Sequence, residues 1–496
     1  MTTTQTEKKL SKGKLIALFA VGFIAVFLLG MLAASITERR AEVVSTFLQN
    51  KVVNIEGIEP NNALWGENYP REYETWAKTA DMDFESEYLG NKPNDELAGR
   101  PDMVILWAGY AFSKEYNAPR GHFYAVEDVR NILRTGAPTS DTDGPMPAAC
   151  WTCKSPDIPR MMSEVGINEF YNEKWAKWGS EIMNPIGCAD CHDPETMALQ
   201  ISRPALVDAF ARQGKDITKA THQEMRTLVC AQCHVEYYFS KEGNVVTFPW
   251  DKGFTVEAME DYYDNIGFSD WTHKLSRTPM IKAQHPDYET FTMGPHAERG
   301  LACADCHMPY MADGAIKFSD HQIMSPLKNI DRTCQTCHND SEEALKQMVY
   351  SRQNKAFELR NILEGLLADA HLEAAYAWDN GATEAQMGDV LKFIRQAQWR
   401  WDFGVASHGA SFHAPQETQR ILAHGIDKAH EARRAIRDVF YALNIQDKYQ
   451  RPQYANKEEA QKLIGLDMKQ IRAEKEEFLQ TKVPVWIEEA KKEQRL

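Results

Sequence analysis

The longest apolar run in the chain lies at its start. From Leu15 to Thr37 no residue carries a charge, with Lys8, Lys9, Lys12 and Lys14 before the run and Glu38, Arg39 and Arg40 after it. A helix of that length spans a hydrocarbon layer of about 30 Å. Basic residues ahead of it place the N-terminus inside and everything beyond about residue 40 outside. Residues 1–40 therefore read as a signal peptide, cut near Ala33-Ala34-Ser35, or as a retained membrane anchor. No later stretch has the length and apolarity to cross a membrane.

The period becomes helical in the last third of the chain. Leu359, Ile362, Leu363, Leu366 and Leu367 recur at helical spacing and define one apolar face. Thr383-Glu384-Ala385-Gln386 is a capping box opening a helix that runs through Trp399 and Trp401. Pro415 starts another, with Leu422, Ile426, Ala429, Ile436 and Phe440 inward. Strand signals are few, the best being Val245–Phe248 after Gly243-Asn244. Residues 41–100 are polar and irregular, read as linker and surface wrap. The pattern predicts a mainly α protein with very little β, divided into 1–40, 41–100, a core over 101–340 and a long-helix region over 341–496.

Composition narrows the function. Asp and Glu number 71 against 56 Lys and Arg, a net charge of −15. That balance argues against nucleic acid as a partner, and no phosphate loop, Ser/His/Asp signature or basic patch is present.

The cysteines decide more. All ten fall in C-x-x-C pairs: Cys150/Cys153, Cys188/Cys191, Cys230/Cys233, Cys303/Cys306 and Cys334/Cys337. Four pairs are followed directly by His192, His234, His307 and His338; the first is followed by Lys154. C-x-x-C-H is the attachment motif of c-type haem: two thiols bond one porphyrin edge, and the adjacent imidazole reaches the iron. Zinc would take two pairs per metal, leaving one odd, and disulfide scaffolds are usually short and cysteine-dense. Motif starts 38, 42, 73 and 31 residues apart predict one domain packed around five covalent haems, which supply much of its apolar core. Covalent haem also agrees with an exported, extracytoplasmic body.

Of fifteen histidines, four belong to these motifs and eleven remain. Electron-transfer haems usually have both axial positions filled. Counting cannot name the second ligands. The Lys154 motif differs in kind: an ordinary lysine binds iron only after losing its proton, which at pH 7 costs about 4 to 5 kcal/mol. Such a ligand suits an iron whose other face stays open to substrate.

With these motifs the chain resembles the pentahaem cytochrome c nitrite reductase family, which forms ammonia. The resemblance runs from about Leu106 to Ile487. It is carried by LWAGYAFSKEYNAPRGH (106–122), LRTGAP (133–138), ACWTCKSPD (149–157), CAQCHVEYYF (230–239), KAQHPDYE (282–289) and SFHAP (411–415), beside the remaining Cys-Cys-His motifs. It implies a multihaem cytochrome c fold and six-electron reduction of nitrite at the Lys154 haem, with four bis-histidine haems as relays. Arg134, Tyr237 and His285 fall on the family's distal-pocket positions. The implied distal ligands are His122 for the Cys230 haem, His296 for the Cys334 haem, His321 for the Cys188 haem and His413 for the Cys303 haem. A calcium ion falls on Glu236, the Tyr237 and Lys282 backbones and Gln284. The family also implies a homodimer through the long helices, and a multihaem cytochrome or a membrane quinol-oxidising protein as electron donor.

The residue types suit that chemistry. Arg134 offers a permanent charge and a fork of donors, His285 can pass protons near neutral pH, and Tyr237 follows haem ligand His234 by three residues. Oxygen donors suit calcium. Each also has an ordinary alternative: Arg134 as a helix-end cation, Tyr237 as haem packing, Lys282 and Gln284 as loop residues, His285 as a turn histidine. His222, His273, His371, His408, His424 and His430 read as structural or surface. A pure electron carrier with five six-coordinate irons remains the alternative function.

Overall fold

A computed structural model describes residues 11–49, 51–88, 90–314 and 316–496; Lys8 and Lys9 lie outside them. The chain divides into two units, residues 1–54 and 55–496. The first contains a single helix, Lys12–Gln49, with every residue from Lys12 to Thr37 outside any core. By length and composition this segment fits a signal or an anchor. No other helix among the described residues is long and apolar enough to cross a membrane.

The second unit is mainly α, built from short helices and turns up to residue 340 and long helices after it. Among the described residues strand is confined to three antiparallel two-stranded ribbons: Tyr238–Phe239 with Val246–Thr247, Trp271–Thr272 with Pro279–Met280, and Tyr310–Asp313 with Ile316–Ser319. The first falls where Gly243-Asn244 signals a hairpin; both residues have positive φ, which suits them.

Residues 41–100 correct the expectation of an irregular wrap. The first helix continues to Gln49, and Asn62–Asn68 and Pro70–Ala77 are helical. Asn61 caps one by accepting from the Ala63 N–H, and Pro70 opens the other. Trp65 and Trp76 are buried, and the Trp76 indole donates to the Ile186 carbonyl at 2.9 Å. Two tryptophans outweigh the polar residues around them, so residues 62–77 are part of the body and not a surface covering.

The long helices are Glu342–Asp379, Glu384–Ala406 and Pro415–Leu443. The Thr383 capping box forms, with Thr383 N–H donating to Gln386 Oε1 at 2.9 Å. Leu363 and Leu367 are fully buried, whereas Ile362 on the same apolar arc is 47 % exposed. The arc is wider than the groove that receives it. Trp399, Trp401 and Phe403 are all fully buried, so the middle helix is surrounded on every side over residues 397–403. Asp402 lies in the middle helix, and Ser407 and His413 follow it in the link to helix Pro415–Leu443.

Candidate haem and distal-pocket site

Four of the C-x-x-C segments begin in short helical turns and the Cys230 segment at the end of helix His222–Ala231, and two of the turns are held by their own sequence. In Cys188–Cys191 the Asp190 carboxylate accepts the Gly187 N–H at 2.8 Å, and in Cys303–His307 Asp305 accepts the Ala302 N–H at 2.7 Å. Each aspartate is held in turn by an arginine, Arg203 for Asp190 and Arg226 for Asp305. The Asp190–Arg203 pair is buried, and Arg203 also donates to the Thr152 and Ser155 carbonyls. One guanidinium therefore ties the Lys154 motif to the Cys188 motif.

None of the ten cysteines is in a disulfide. The motifs adjoin one another: Cys153 lies beside Cys233, and Cys230 beside Cys303. Cys306 and Cys334 lie within electrostatic reach. The attachment points thus form a contiguous series instead of isolated sites.

Cys337 differs from the other motif cysteines in exposure. Nine of the cysteines are half-buried, whereas Cys337 is exposed, and His338 beside it is exposed as well. The reason is where the last motif falls in the chain. Its turn, Cys334–Thr336, is a single turn of 3₁₀ helix that ends before Cys337, and the polar run Asn339-Asp340-Ser341 that follows is exposed up to the start of helix Glu342–Asp379. Gln335 stands where the Cys188 and Cys303 motifs have alanine, so no small apolar residue draws this turn inward. The Cys337 N–H still donates to the Cys334 carbonyl at 3.1 Å, which keeps the two thiols on one turn. Cys337 therefore lies at the rim of the body.

The histidines meet in four pairs. Ring centroids are 6.4 Å apart for His122 and His234, 6.3 Å for His192 and His321, 6.4 Å for His296 and His338, and 6.3 Å for His307 and His413. A metal–nitrogen bond of about 2.0 Å, plus about 1.1 Å from ring nitrogen to ring centre, puts two imidazoles on one metal about 6.2 Å apart. Each pair joins one motif histidine to one histidine from outside the motifs. The same pairs were implied by resemblance. Burial lowers His122 and His413 to about 4, which favours the neutral, ligating form. The His413 Nδ1 is buried and without a partner. The donor set therefore fits covalent haem.

Local chain geometry explains how the outlying histidines arrive. Gly121, at φ +124°, turns the chain into His122. The His321 N–H donates to Thr75 Oγ1 at 3.0 Å, so the short helix of residues 70–77 holds that ligand. Gly294 packs directly on the His413 backbone: a Cβ there would lie 1.8 Å from the His413 carbonyl oxygen. Neither Thr75 nor Gly294 was singled out from sequence. Gly294→Ala is expected to destabilise the protein by about 1–3 kcal/mol and to perturb one low-spin haem. A thermal melt and a low-temperature spin-state spectrum check this.

Around the Lys154 motif three donors converge. The Lys154 N–H donates to the Trp151 carbonyl at 2.9 Å, and the fully buried Trp151 indole donates to Trp175 O at 2.9 Å. Arg134 lies 4.0 Å above the Phe112 ring, and both Arg134 and Lys154 act electrostatically on Cys150. Tyr237 and His285 have ring centroids 5.5 Å apart, and His285 lies 5.9 Å from His234. Burial pushes His285 down to about 3, with His234 and Lys154 adding to the effect. Its Nδ1 and the Arg134 Nε are buried without partners, the condition of groups aimed at something other than protein.

The calcium candidates form a second cluster on the same loops. Glu236 is fully buried, accepting from the Gln284 N–H at 2.6 Å and the Tyr263 hydroxyl at 2.8 Å. Burial raises Glu236 well above the carboxylate range, and Glu289 and Asp270 add to it. The Gln284 amide donates to the Lys282 carbonyl at 3.3 Å; a half-turn of that amide puts Oε1 beside the same carbonyl oxygen. The Lys282 ammonium points away, pairing with buried Asp402 at 2.7 Å. Among the described residues no three His, Cys, Asp or Glu side chains form a metal cluster. A cation here depends on one carboxylate, backbone carbonyls and an amide, a set suited to a hard ion, and a buried excess of carboxylates calls for one.

Of the six histidines read as structural, His273 and His371 stack at 3.6 Å between ring centroids and are buried with hydrogen-bond partners. They are satisfied core groups.

Five adjoining C-x-x-C turns, four facing histidine pairs and a mainly α body define a multihaem c-type cytochrome. The chain belongs to the cytochrome c552 family, whose profile matches residues 61–494, beginning well before the motifs that carry the resemblance. It is 62% identical over 490 residues to cytochrome c-552 of Parabacteroides distasonis, and equally so to that of Bacteroides thetaiotaomicron, with 99% of both chains covered in each case. Among solved structures it is similar to the cytochrome c nitrite reductase of Desulfovibrio desulfuricans, whose catalytic subunit has two calcium sites. The TM-score is 0.75 at 32% identity, over 84% of this chain and 91% of that one.

Proposed function

We propose that this chain reduces nitrite to ammonia, which leaves as ammonium, taking up six electrons and eight protons and releasing two waters. The observation that carries the reading is the convergence of Arg134, Tyr237 and His285 on the one motif that ends in lysine. Five c-type haems are expected, the Lys154 haem supplying an open coordination position and electrons, the others electron relay.

The side chains then have separable tasks. The Arg134 guanidinium, fixed by Phe112, attracts and orients the anion through its oxygens. His285, buried and uncharged at neutral pH without substrate, gains a proton most readily when an anion arrives and can hand it to a departing oxygen. The Tyr237 hydroxyl, raised by burial, stays protonated and donates. Glu236 and Gln284, holding calcium, would anchor the Tyr237 and His285 loops to each other.

A family relative named as a nitrite reductase supports the substrate. Steady-state turnover on nitrite, hydroxylamine and sulfite with a reduced viologen tests it. Nitrite as a poor substrate, or an absorption spectrum indifferent to nitrite and cyanide, would favour the electron carrier. Arg134→Ala is expected to lower kcat/KM for nitrite by about ten- to a hundredfold, mostly through KM, with haem content unchanged. Kinetics beside a haem stain check this.

The same reading places the body outside the cytoplasmic membrane, exported or anchored by Lys12–Gln49. It pairs two copies through the long helices, where Ile362 is exposed, and takes electrons from a multihaem cytochrome or a membrane quinol-oxidising protein.

A further inference from the structure

The histidine pairs differ in what grips the outer ring nitrogen. His192 Nδ1 lies 2.9 Å from the Met197 carbonyl, His307 Nδ1 2.9 Å from the Met324 carbonyl and His321 Nδ1 2.8 Å from the Ser319 carbonyl. His234 Nδ1 instead faces a carboxylate, Asp287 Oδ2, at 3.4 Å. That carboxylate is fixed: its Oδ1 accepts from the Ser407 hydroxyl at 2.7 Å, and Ser407 lies 3.0 Å from Thr290 Oγ1. The Tyr288 N–H adds a backbone bond to the His234 carbonyl at 3.0 Å. One turn, residues 285–288, therefore presents His285 to the distal pocket and holds the axial histidine of the neighbouring haem.

A carboxylate on the outer nitrogen makes an imidazole a stronger donor than a carbonyl does, and it adds a negative charge near the metal. Both effects favour the oxidised iron. We infer that Asp287 is a positioning residue that lowers the reduction potential of the haem between His122 and His234. This motif adjoins the Lys154 motif through the Cys153–Cys233 contact, so the effect falls on the haem next to the proposed catalyst. A low potential there favours passing the electron onward over retaining it. The inference rests on reading His122 and His234 as ligands of one haem.

The test is a potentiometric titration of the purified holoenzyme, followed by optical and electron-spin-resonance signals of the low-spin haems. In Asp287→Asn one low-spin haem is expected to be easier to reduce, its oxidised-to-reduced ratio at fixed solution potential falling about tenfold, or 59 mV for one electron. The other haems are expected to hold their potentials, and Asp287→Glu is expected to recover most of the shift. Ser407→Ala, which leaves the carboxylate but frees it to rotate, is expected to give a smaller shift of the same sign and serves if Asp287→Asn does not fold. Unchanged potentials at wild-type haem content, in whichever of the two variants folds, overturn the inference. His122→Ala separates the premise: if it removes no low-spin signal, the pairing itself is wrong.

Discussion

Lys154→His is expected to leave every haem attached and to lower nitrite turnover by about a hundredfold or more. The two thiols of its motif remain, so covalent attachment is not at issue. What changes is the distance from backbone to iron. The motif backbone cannot follow that change, because Trp151 is fully buried, its indole is bonded to the Trp175 carbonyl, and its own carbonyl receives the Lys154 N–H. A shorter, planar ligand on a fixed backbone shifts the bound group relative to Arg134, Tyr237 and His285. A misplacement of about 1 Å between reacting atoms and catalytic groups costs about a hundredfold. Haem stain, protein mass and viologen-linked kinetics on one preparation check the result. Full activity in the variant would mean that lysine has no special role.

The parts of this site that the sequence reveals are those whose chemistry is local. Cysteine spacing marks each attachment point because both thiols must reach one porphyrin edge, and the C-A-D-C turns even carry their own caps in Asp190 and Asp305. The Thr383 box and the Pro415 helix start are equally local. Partner choice is not. Eleven histidines compete for the distal positions, and nothing in their spacing says that His413 lies opposite His307 across more than a hundred residues; resemblance supplied those pairs, and the ring geometry arrived with the fold. Gly294, Thr75 and Asp287 escaped notice for the same reason: each acts only through a tertiary neighbour. Depth is equally invisible in spacing, which marks Cys337 as a haem thiol as firmly as Cys191 yet says nothing of its place at the rim. Residues 41–100 misled because composition was read without weighing two tryptophans, and Ile362 because an apolar period gives the direction of a face but not the width of its groove.

Glu236→Gln is expected to lose bound calcium and, with it, about a hundredfold or more of nitrite kcat/KM, at unchanged haem content. Glu236 is the one carboxylate of the proposed set, and charge is what a hard cation requires of it. The substitution keeps the volume but turns one oxygen into a donor, which then meets the Gln284 N–H or the Tyr263 hydroxyl now bonded to the carboxylate. The consequence for catalysis follows from chain connectivity: Tyr237 is the next residue after Glu236, and His285 the next after Gln284. A cation shared by these loops fixes the Tyr237–His285 spacing, and without it the two buried loops are joined by the Glu236 hydrogen bonds, beside the unfavourable neighbours Glu289 and Asp270. Elemental analysis of wild type and variant measures the metal directly. Chelation of the wild-type enzyme is expected to reproduce the kinetic loss and calcium to restore it, while the variant recovers nothing on addition. A wild-type protein that holds no calcium yet turns over nitrite at full rate would show that Glu236 and Gln284 support the pocket by hydrogen bonds alone.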